Sequence, residues 1–137
     1  EHVVRNNVLG GTVMNTQSGC QAKEGDKLIF SCSGAADVGA VADLAARRLT
    51  KEGHGKMFCL AGVGGRVPAI IERTANAEKI LAIDGCELDC VKNCLEHAGF
   101  ADFTHVRLAD LGMEKGKTEM SDEAVAKVVV AGAAKLA

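Results

Sequence analysis

Aromatic side chains are nearly missing from this sequence, which contains no Trp, no Tyr and only four Phe. Few aromatic rings leave little surface on which the bases of a nucleic acid could stack. An excess of one charge is missing as well, because acidic and basic residues are interspersed and the formal net charge is -2. Nucleic-acid binders usually carry a basic patch or stripe. The sequence therefore argues against nucleic acid as a partner.

Long apolar runs are also missing. No stretch approaches the roughly 20 apolar residues that cross a bilayer. The start, EHVVRNNVLGGTV, lacks the succession of charged, apolar and small residues that marks a signal peptide. We therefore expect a cytoplasmic protein with no membrane partner. Its six cysteines lie in strand-like and helix-like patterns, so we expect thiols, structural or metal-bound, rather than disulfides.

The length and composition fit one globular domain. The chain has 137 residues, of which 47% are hydrophobic and 25% are charged. Its first residues show no periodicity that would hold them in a core, so we assign residues 1–24 to an N-terminal tail and residues 25–137 to an α/β metal-binding domain. Met14 is a candidate natural start, which would make residues 1–13 an addition to the natural chain.

Short apolar runs alternate with segments of helical spacing from Lys27 onward. The predicted strands are KLIFSCS, KMFCLAG, KILAIDG and FTHVRLADL. The predicted helices are AADVGAVADLAARRLTKEG, PAIIERTANA, the segment that ends in VKNCLEHAG, and a last helix from Ser121 through Leu136. This alternation predicts an α/β fold: a single-domain open parallel sheet of about four strands with helices on both faces, in a Rossmann-like or flavodoxin-like three-layer arrangement.

Most cysteines fall at one edge of the predicted sheet. Right-handed crossovers place the carboxyl ends of all strands at the same edge, where open α/β sheets build their sites. Cys32 lies near the end of the first strand, Cys59 in the second half of the second, and Cys86 just beyond the third. With the strand order 2-1-3-4, these strands are neighbours and their thiols converge. Cys20 precedes the first strand and has no such placement.

Helical spacing gives the cysteines in and before the third helix different positions. An apolar stripe beginning at Leu88 defines the face that packs on the sheet. At about 100° per residue, Cys94 lies roughly 70° from the stripe centre and Cys90 roughly 110°, while Cys86 belongs to the preceding turn. Cys94 therefore fits ordinary packing, whereas Cys90 points away from the core. Because a helix N-terminus favours thiolates, we expect lowered pKa values for Cys86 and Cys90.

These thiols predict a metal site. Structural zinc takes four thiolate or imidazole ligands, and we predict that Cys32, Cys59, Cys86 and Cys90 bind zinc or another thiophilic ion. A closed coordination sphere favours a structural, storage or trafficking role over catalysis. The alternative is a thiolate-based redox or sulfur-transfer enzyme or carrier, with Cys86 as nucleophile and Cys90 or Cys32 as resolving thiol.

Other residues near this edge have smaller predicted roles. Asp84 ends the third strand and can hydrogen-bond amides of the following loop and brace Cys86. His97 lies on the outer face of the third helix and is a reserve ligand. CSGAADVG has Val38 where cysteine phosphatases need an arginine and lacks the lysine of a Walker A motif, so both chemistries are rejected. GVGGRV is a partial dinucleotide fingerprint, which leaves a nucleotide-binding regulator as a third possibility.

Three blocks of the sequence resemble a known family. IDGC with a cysteine four residues later, FSCSGAADVG and MFCLAGVGG are similar to the DGC domain family of bacteria and archaea, to which zinc binding has been ascribed. The resemblance runs from about Lys27 to the end of the chain. It implies a metal site of family cysteines, which map here onto Cys32, Cys59, Cys86 and Cys90. The resemblance implies no reaction and no substrate.

Overall fold

Four short apolar segments form one parallel sheet in the computed structural model, which describes residue 23 and residues 25–137. The strands are β1 Lys27–Ser31, β2 Lys56–Met57, β3 Lys79–Asp84 and β4 Thr104–Arg107. They pair in the order β2-β1-β3-β4, which confirms the predicted α/β fold and strand order. Met14, Cys20 and nearly all of the proposed tail lie outside the described residues, so the tail stays a prediction.

Helices cover both faces of this sheet. Within residues 25–137 they are α1 Asp37–Lys51, α2 Leu60–Gly64, α3 Pro68–Ala75, α4 Cys90–His97 and α5 Asp122–Leu136, and a 3₁₀ turn, Leu108–Leu111, follows β4. Helices α1 and α5 contribute to one apolar core. The other three helices contribute to a second core on the opposite face. None of these described helices combines the length and apolar character that crossing a bilayer requires.

The middle residues of the central strands are apolar because both faces of these strands are buried. Leu28 and Phe30 of β1 point into the core shared with α2, α3 and α4. Ile29, between them, points into the core shared with α1 and α5. Successive side chains of a strand face opposite sides of the sheet, so a strand between two helical layers needs apolar residues at every position. Continuous apolar runs are therefore the expected sequence pattern here.

Strand β2 is much shorter than the sequence indicates. The prediction extended it through Cys59, but the strand ends at Met57 and Cys59 is the N-cap residue of α2, with φ -89° and ψ 99°. This edge strand pairs only with β1 in the described sheet. The chain then turns into α2 and buries Val63 in the core. The first residues of GVGGRV, the partial dinucleotide fingerprint, thus belong to a short helix.

The start of α4 also differs from its prediction. Leu88 was predicted to pack on the sheet, yet it is 65% exposed. The helix begins only at Cys90, after Asp89 adopts a left-handed conformation with φ 51°. Leu88 therefore belongs to the turn, and Val91 and Leu95 provide the buried face of the helix. Cys86 lies in the turn, as predicted, and Cys90 lies in the exposed first helical position.

Two glycines bring the loops after β1 and β3 close to the start of α1. A Cβ atom at Gly39 would lie 2.6 Å from the carbonyl oxygen of Gly34. A Cβ atom at Gly85 would lie 2.9 Å from Cγ2 of Val38. Both distances are too short for a real side chain. Glycine at these positions thus allows the loops that carry Cys32 and Cys86 to pack against the same helix.

We expect Gly39→Ala to lower the free energy of unfolding by about 1 to 3 kcal/mol, because backbone atoms of the neighbouring loop must move. Urea unfolding followed by circular dichroism measures this change. Gly64→Ala is the matched control, since its Cβ would lie at an ordinary 3.5 Å from Sγ of Cys94. Equal losses in the two variants would contradict the close approach at Gly39.

Candidate functional site

The buried carboxylate of Asp84 fixes the start of α4 against the end of β3. Its Oδ1 accepts a hydrogen bond from the backbone N–H of Val91 at 2.7 Å, and Oδ2 accepts one from Lys92 at 3.1 Å. Asp89, the N-cap residue, makes no side-chain cap bond. Asp84 therefore caps the helix from across the loop. The sequence predicted hydrogen bonds to loop amides, whereas the amides that donate to Asp84 belong to the helix.

Strand β4 adds two side chains that the sequence prediction missed. His105 Nε2 lies 2.8 Å from Oδ2 of Asp84. Arg107 donates to Asp89 from Nε at 2.8 Å and from Nη2 at 2.5 Å. This Arg107 guanidinium holds the pKa of Asp89 below its usual range. The period-two spacing of His105 and Arg107, beside the end of β3, is the sequence signal that could have revealed the network.

Asp84, Asp89 and His105 form a group of possible metal ligands in the described part of the chain. One ligand atom from each lies within 4.8 Å of the others. However, both oxygens of Asp84 already accept amide hydrogen bonds, and Asp89 is held by Arg107. A cation at this position would have to compete with all of these donors. The group is better explained as a hydrogen-bond network that joins β3, α4 and β4.

The cysteines gather around a separate pocket at the carboxyl edge of the sheet. The pocket has a volume of about 940 Å³ and its wall includes Cys32, Cys59, Cys90 and Cys94. Three of the four predicted ligands therefore share one cavity. Cys94, which the sequence assigned to packing, also reaches it. The structure has all five described cysteines as thiols.

Cys86, the fourth predicted ligand, does not line this pocket. It is partly buried against the core that α1 and α5 share. Its charge nevertheless acts on Cys90, as does that of Cys32, so these three thiols lie within electrostatic range. Among the described residues, no three cysteine sulfurs meet the 4.8 Å limit that the Asp84 group meets. The thiols thus surround a common region without standing at metal-ligand spacing.

The expected lowering of the Cys90 pKa is wrong for the metal-free protein. Burial raises the pKa of this thiol, and the charges of Cys32, Asp84 and Cys86 raise it further, while Lys115 opposes them. The helix-dipole argument failed mainly because burial disfavours the charged form of this thiol. The nearby Cys32 thiol and the Asp84 carboxylate, which accepts hydrogen bonds from the amides at the start of α4, add repulsion for a thiolate.

Cys94 lies beside the packed face of α4 and His97 lies on its outer face, as the helical spacing predicted. Cys94 packs against the core beside α2, and its thiol donates to the carbonyl oxygen of Leu60 at 3.8 Å. Burial raises the pKa of Cys94, and the nearby charge of Arg66 opposes that change. His97 is exposed at the end of α4. Cys94 is therefore mainly a packing residue at the pocket wall.

Comparison with known proteins supports the family resemblance carried by the blocks IDGC, FSCSGAADVG and MFCLAGVGG. A family model described as the DGC domain matches residues 28–131. The chain belongs to the DGC domain family. It is also 40% identical, over 88 residues, to a Pseudomonas aeruginosa protein named "Anaerobic and virulence modulator AnvM"; the match covers 64% of this chain and 67% of that protein. No solved structure matches the chain. The resemblance predicted from the sequence is thus confirmed.

We expect Asp84→Asn to lower the free energy of unfolding of this DGC domain by about 1 to 3 kcal/mol, because an amide nitrogen cannot accept the bonds that a carboxylate oxygen accepts. Urea unfolding measures the loss. Asp110→Asn is the matched control, since the Asp110 side chain is 68% exposed and lies 3.5 Å from Arg107. A loss no greater than that of the control would contradict the capping role.

Alkylation should report the raised pKa of Cys90. With iodoacetamide and metal-free protein, we expect the rate at Cys90 to reach half its maximum at a higher pH in the folded chain than in the urea-unfolded chain. The folded thiol keeps its proton to higher pH, so less reactive thiolate is present near neutral pH. Peptide mass spectrometry isolates the rate at this cysteine. A folded profile shifted to lower pH would contradict the assignment.

Proposed function

We propose that this DGC domain binds zinc or another thiophilic metal ion through Cys32, Cys59, Cys86 and Cys90, in a structural, storage or trafficking role. The observation that carries the proposal is the convergence of thiols on one region. Cys32, Cys59 and Cys90 line a common pocket, and the charge of Cys86 reaches Cys90. Thiolates are the ligands that soft and borderline metal ions prefer.

The proposed ligands lie on separate elements around one region, an arrangement that suits closure around an ion. Cys90 lies in the first turn of a helix whose start is fixed by Asp84. Cys32 and Cys86 lie in loops beyond β1 and β3, and Cys59 caps α2. We infer that Cys90 provides the fixed ligand and that the other sulfurs approach it when the metal binds. Gly34 leaves room for this, because a Cβ there would lie 3.3 Å from Sγ of Cys32.

Two basic side chains near the thiols would offset part of the negative charge of a thiolate centre. Four thiolates around a divalent cation carry two net negative charges. Lys115 acts on Cys90 and Arg66 acts on Cys94, each in the direction that favours a thiolate. Basic side chains near the site reduce the cost of gathering several thiolates. The Asp84 group is the weaker candidate, since its carboxylates already hold amide and guanidinium donors.

Thiolate catalysis is the weaker alternative for the same cysteines. A redox or sulfur-transfer enzyme needs thiols that lose their protons readily, whereas the pKa of Cys90, a predicted resolving thiol, is raised in the metal-free domain. A bound metal replaces the proton, so a raised pKa does not oppose metal binding in the same way. Thiols in place of disulfides also fit a reducing compartment, and we propose that the protein acts in the cytoplasm.

Cys86→Ser and Cys90→Ser should each lower the metal content of protein purified without chelator, because a hydroxyl is a much poorer zinc ligand than a thiolate. Elemental analysis by mass spectrometry measures the metal per chain. Cys20→Ser and Cys94→Ser are the controls and should keep the parent content. Unchanged metal in both Cys86→Ser and Cys90→Ser would sink the ligand assignment. Loss in Cys94→Ser but not in Cys86→Ser would replace Cys86 by Cys94 in the ligand set.

A further inference from the structure

The cysteine-lined pocket is far larger than a metal ion requires. Its volume of about 940 Å³ lies in the upper part of the range for sites that hold small organic molecules, roughly 300 to 1,000 Å³. The thiols occupy only part of its wall. We propose that the remainder of this pocket binds a small organic anion with an apolar body.

The apolar part of the wall follows the chain from β2 into α2. Met57, Phe58, Leu60 and Ala61 line the pocket here. Phe58 is only 6% exposed, and its ring packs edge-on against Phe30 with the ring centroids 6.1 Å apart. This contact anchors the floor of the pocket to the core of the sheet. A firm apolar surface of this kind suits an aromatic or aliphatic ligand body.

Another part of the wall is provided by α1 and carries two cationic side chains. Arg47 and Lys51 both line the pocket and are four residues apart, so they lie on the same face of the helix. Asp43 is one turn before Arg47 and accepts from its Nε at 2.7 Å. This wall thus carries two basic groups and one carboxylate. The charge balance favours an anionic ligand over a cationic one.

The carboxylate of Asp43 is already satisfied by its neighbours. Its Oδ1 accepts a hydrogen bond from the hydroxyl of Ser33 at 2.7 Å, and Ser33 is 2.6 Å from the hydroxyl of the buried Ser31. Arg47 binds the other oxygen. Asp43 therefore positions Arg47 and leaves Lys51 uncompensated, since Lys51 has no ion pair with any residue that the structure describes.

Thr50, the other polar residue on this wall, is already engaged. Its hydroxyl donates to the carbonyl oxygen of Ala46 at 2.9 Å and accepts from the backbone N–H of Met57 at 2.8 Å. The groups with unused donors are thus the two cations. The basic residues that act on the thiols, Arg66 and Lys115, are different ones and do not line the pocket. The anion site therefore uses other basic side chains than the proposed metal site, although Cys32, Cys59 and Cys90 line the same pocket.

Anilinonaphthalene sulfonate, an aromatic anion, is a suitable probe for the full chain with reduced cysteines. We expect saturable binding, measured by fluorescence titration. The double variant Arg47→Gln/Lys51→Gln should bind this probe at least about fivefold more weakly, because two attractions to the sulfonate are lost. Arg73→Gln/Lys127→Gln, which removes the same charge from exposed positions elsewhere, should bind like the parent.

A neutral analogue separates the charge from the apolar surface. Phenylnaphthylamine lacks the sulfonate and should bind the parent and the Arg47→Gln/Lys51→Gln variant equally. Circular dichroism and thermal unfolding establish that each variant is folded. Absence of saturable probe binding to the folded parent would overturn the proposal, as would equal sulfonate affinity in the two double variants. Neither outcome affects the metal proposal, because Arg47 and Lys51 are not among its ligands.

Discussion

The buried carboxylate of Asp84 is the interaction on which the functional edge of this domain depends. It belongs to β3, caps α4 through the amides of Val91 and Lys92, and pairs with His105 of β4. Removing an ionised carboxylate from water costs several kcal/mol, so it is tolerated only with such partners. Three elements are therefore joined at one point. The position of Cys90, in the first turn of α4, follows from that junction.

The architecture could be predicted because its determinants are local and repetitive. Central strands between two helical layers have apolar middles, and helices show their own spacing, so the parallel α/β fold followed from the alternation of the two. The strand order 2-1-3-4 came from the common doubly wound arrangement. The predicted bounds are wrong at two places, an edge strand and the start of a helix. Edge strand β2 pairs on one side only and ends at Met57. Leu88 matched the helical stripe by spacing, but α4 starts after it and leaves it exposed.

The sequence could predict most of the cysteines that lie near the candidate site, but it could not predict how their surroundings change the pKa of Cys90. Sequence position relative to strand ends and helix starts predicted that Cys32, Cys59 and Cys90 lie together, and they line one pocket, but the same reasoning included Cys86, which does not line it. The pKa of Cys90 depends instead on its burial and on the nearby charges of Cys32 and Asp84, and no spacing rule conveys that balance. The same holds for Arg107, whose contact with Asp89 requires the register between β3 and β4.

The domain thus has two sets of possible metal ligands close together. The central claim is that the thiols bind the ion, while Asp84 and its partners stabilise the fold. X-ray absorption at the metal edge of the zinc-loaded domain tests this most directly. The account predicts a first shell of sulfur at about 2.3 Å. A first shell of nitrogen and oxygen at about 2.0 to 2.2 Å would contradict it and assign the ion to Asp84, Asp89 and His105.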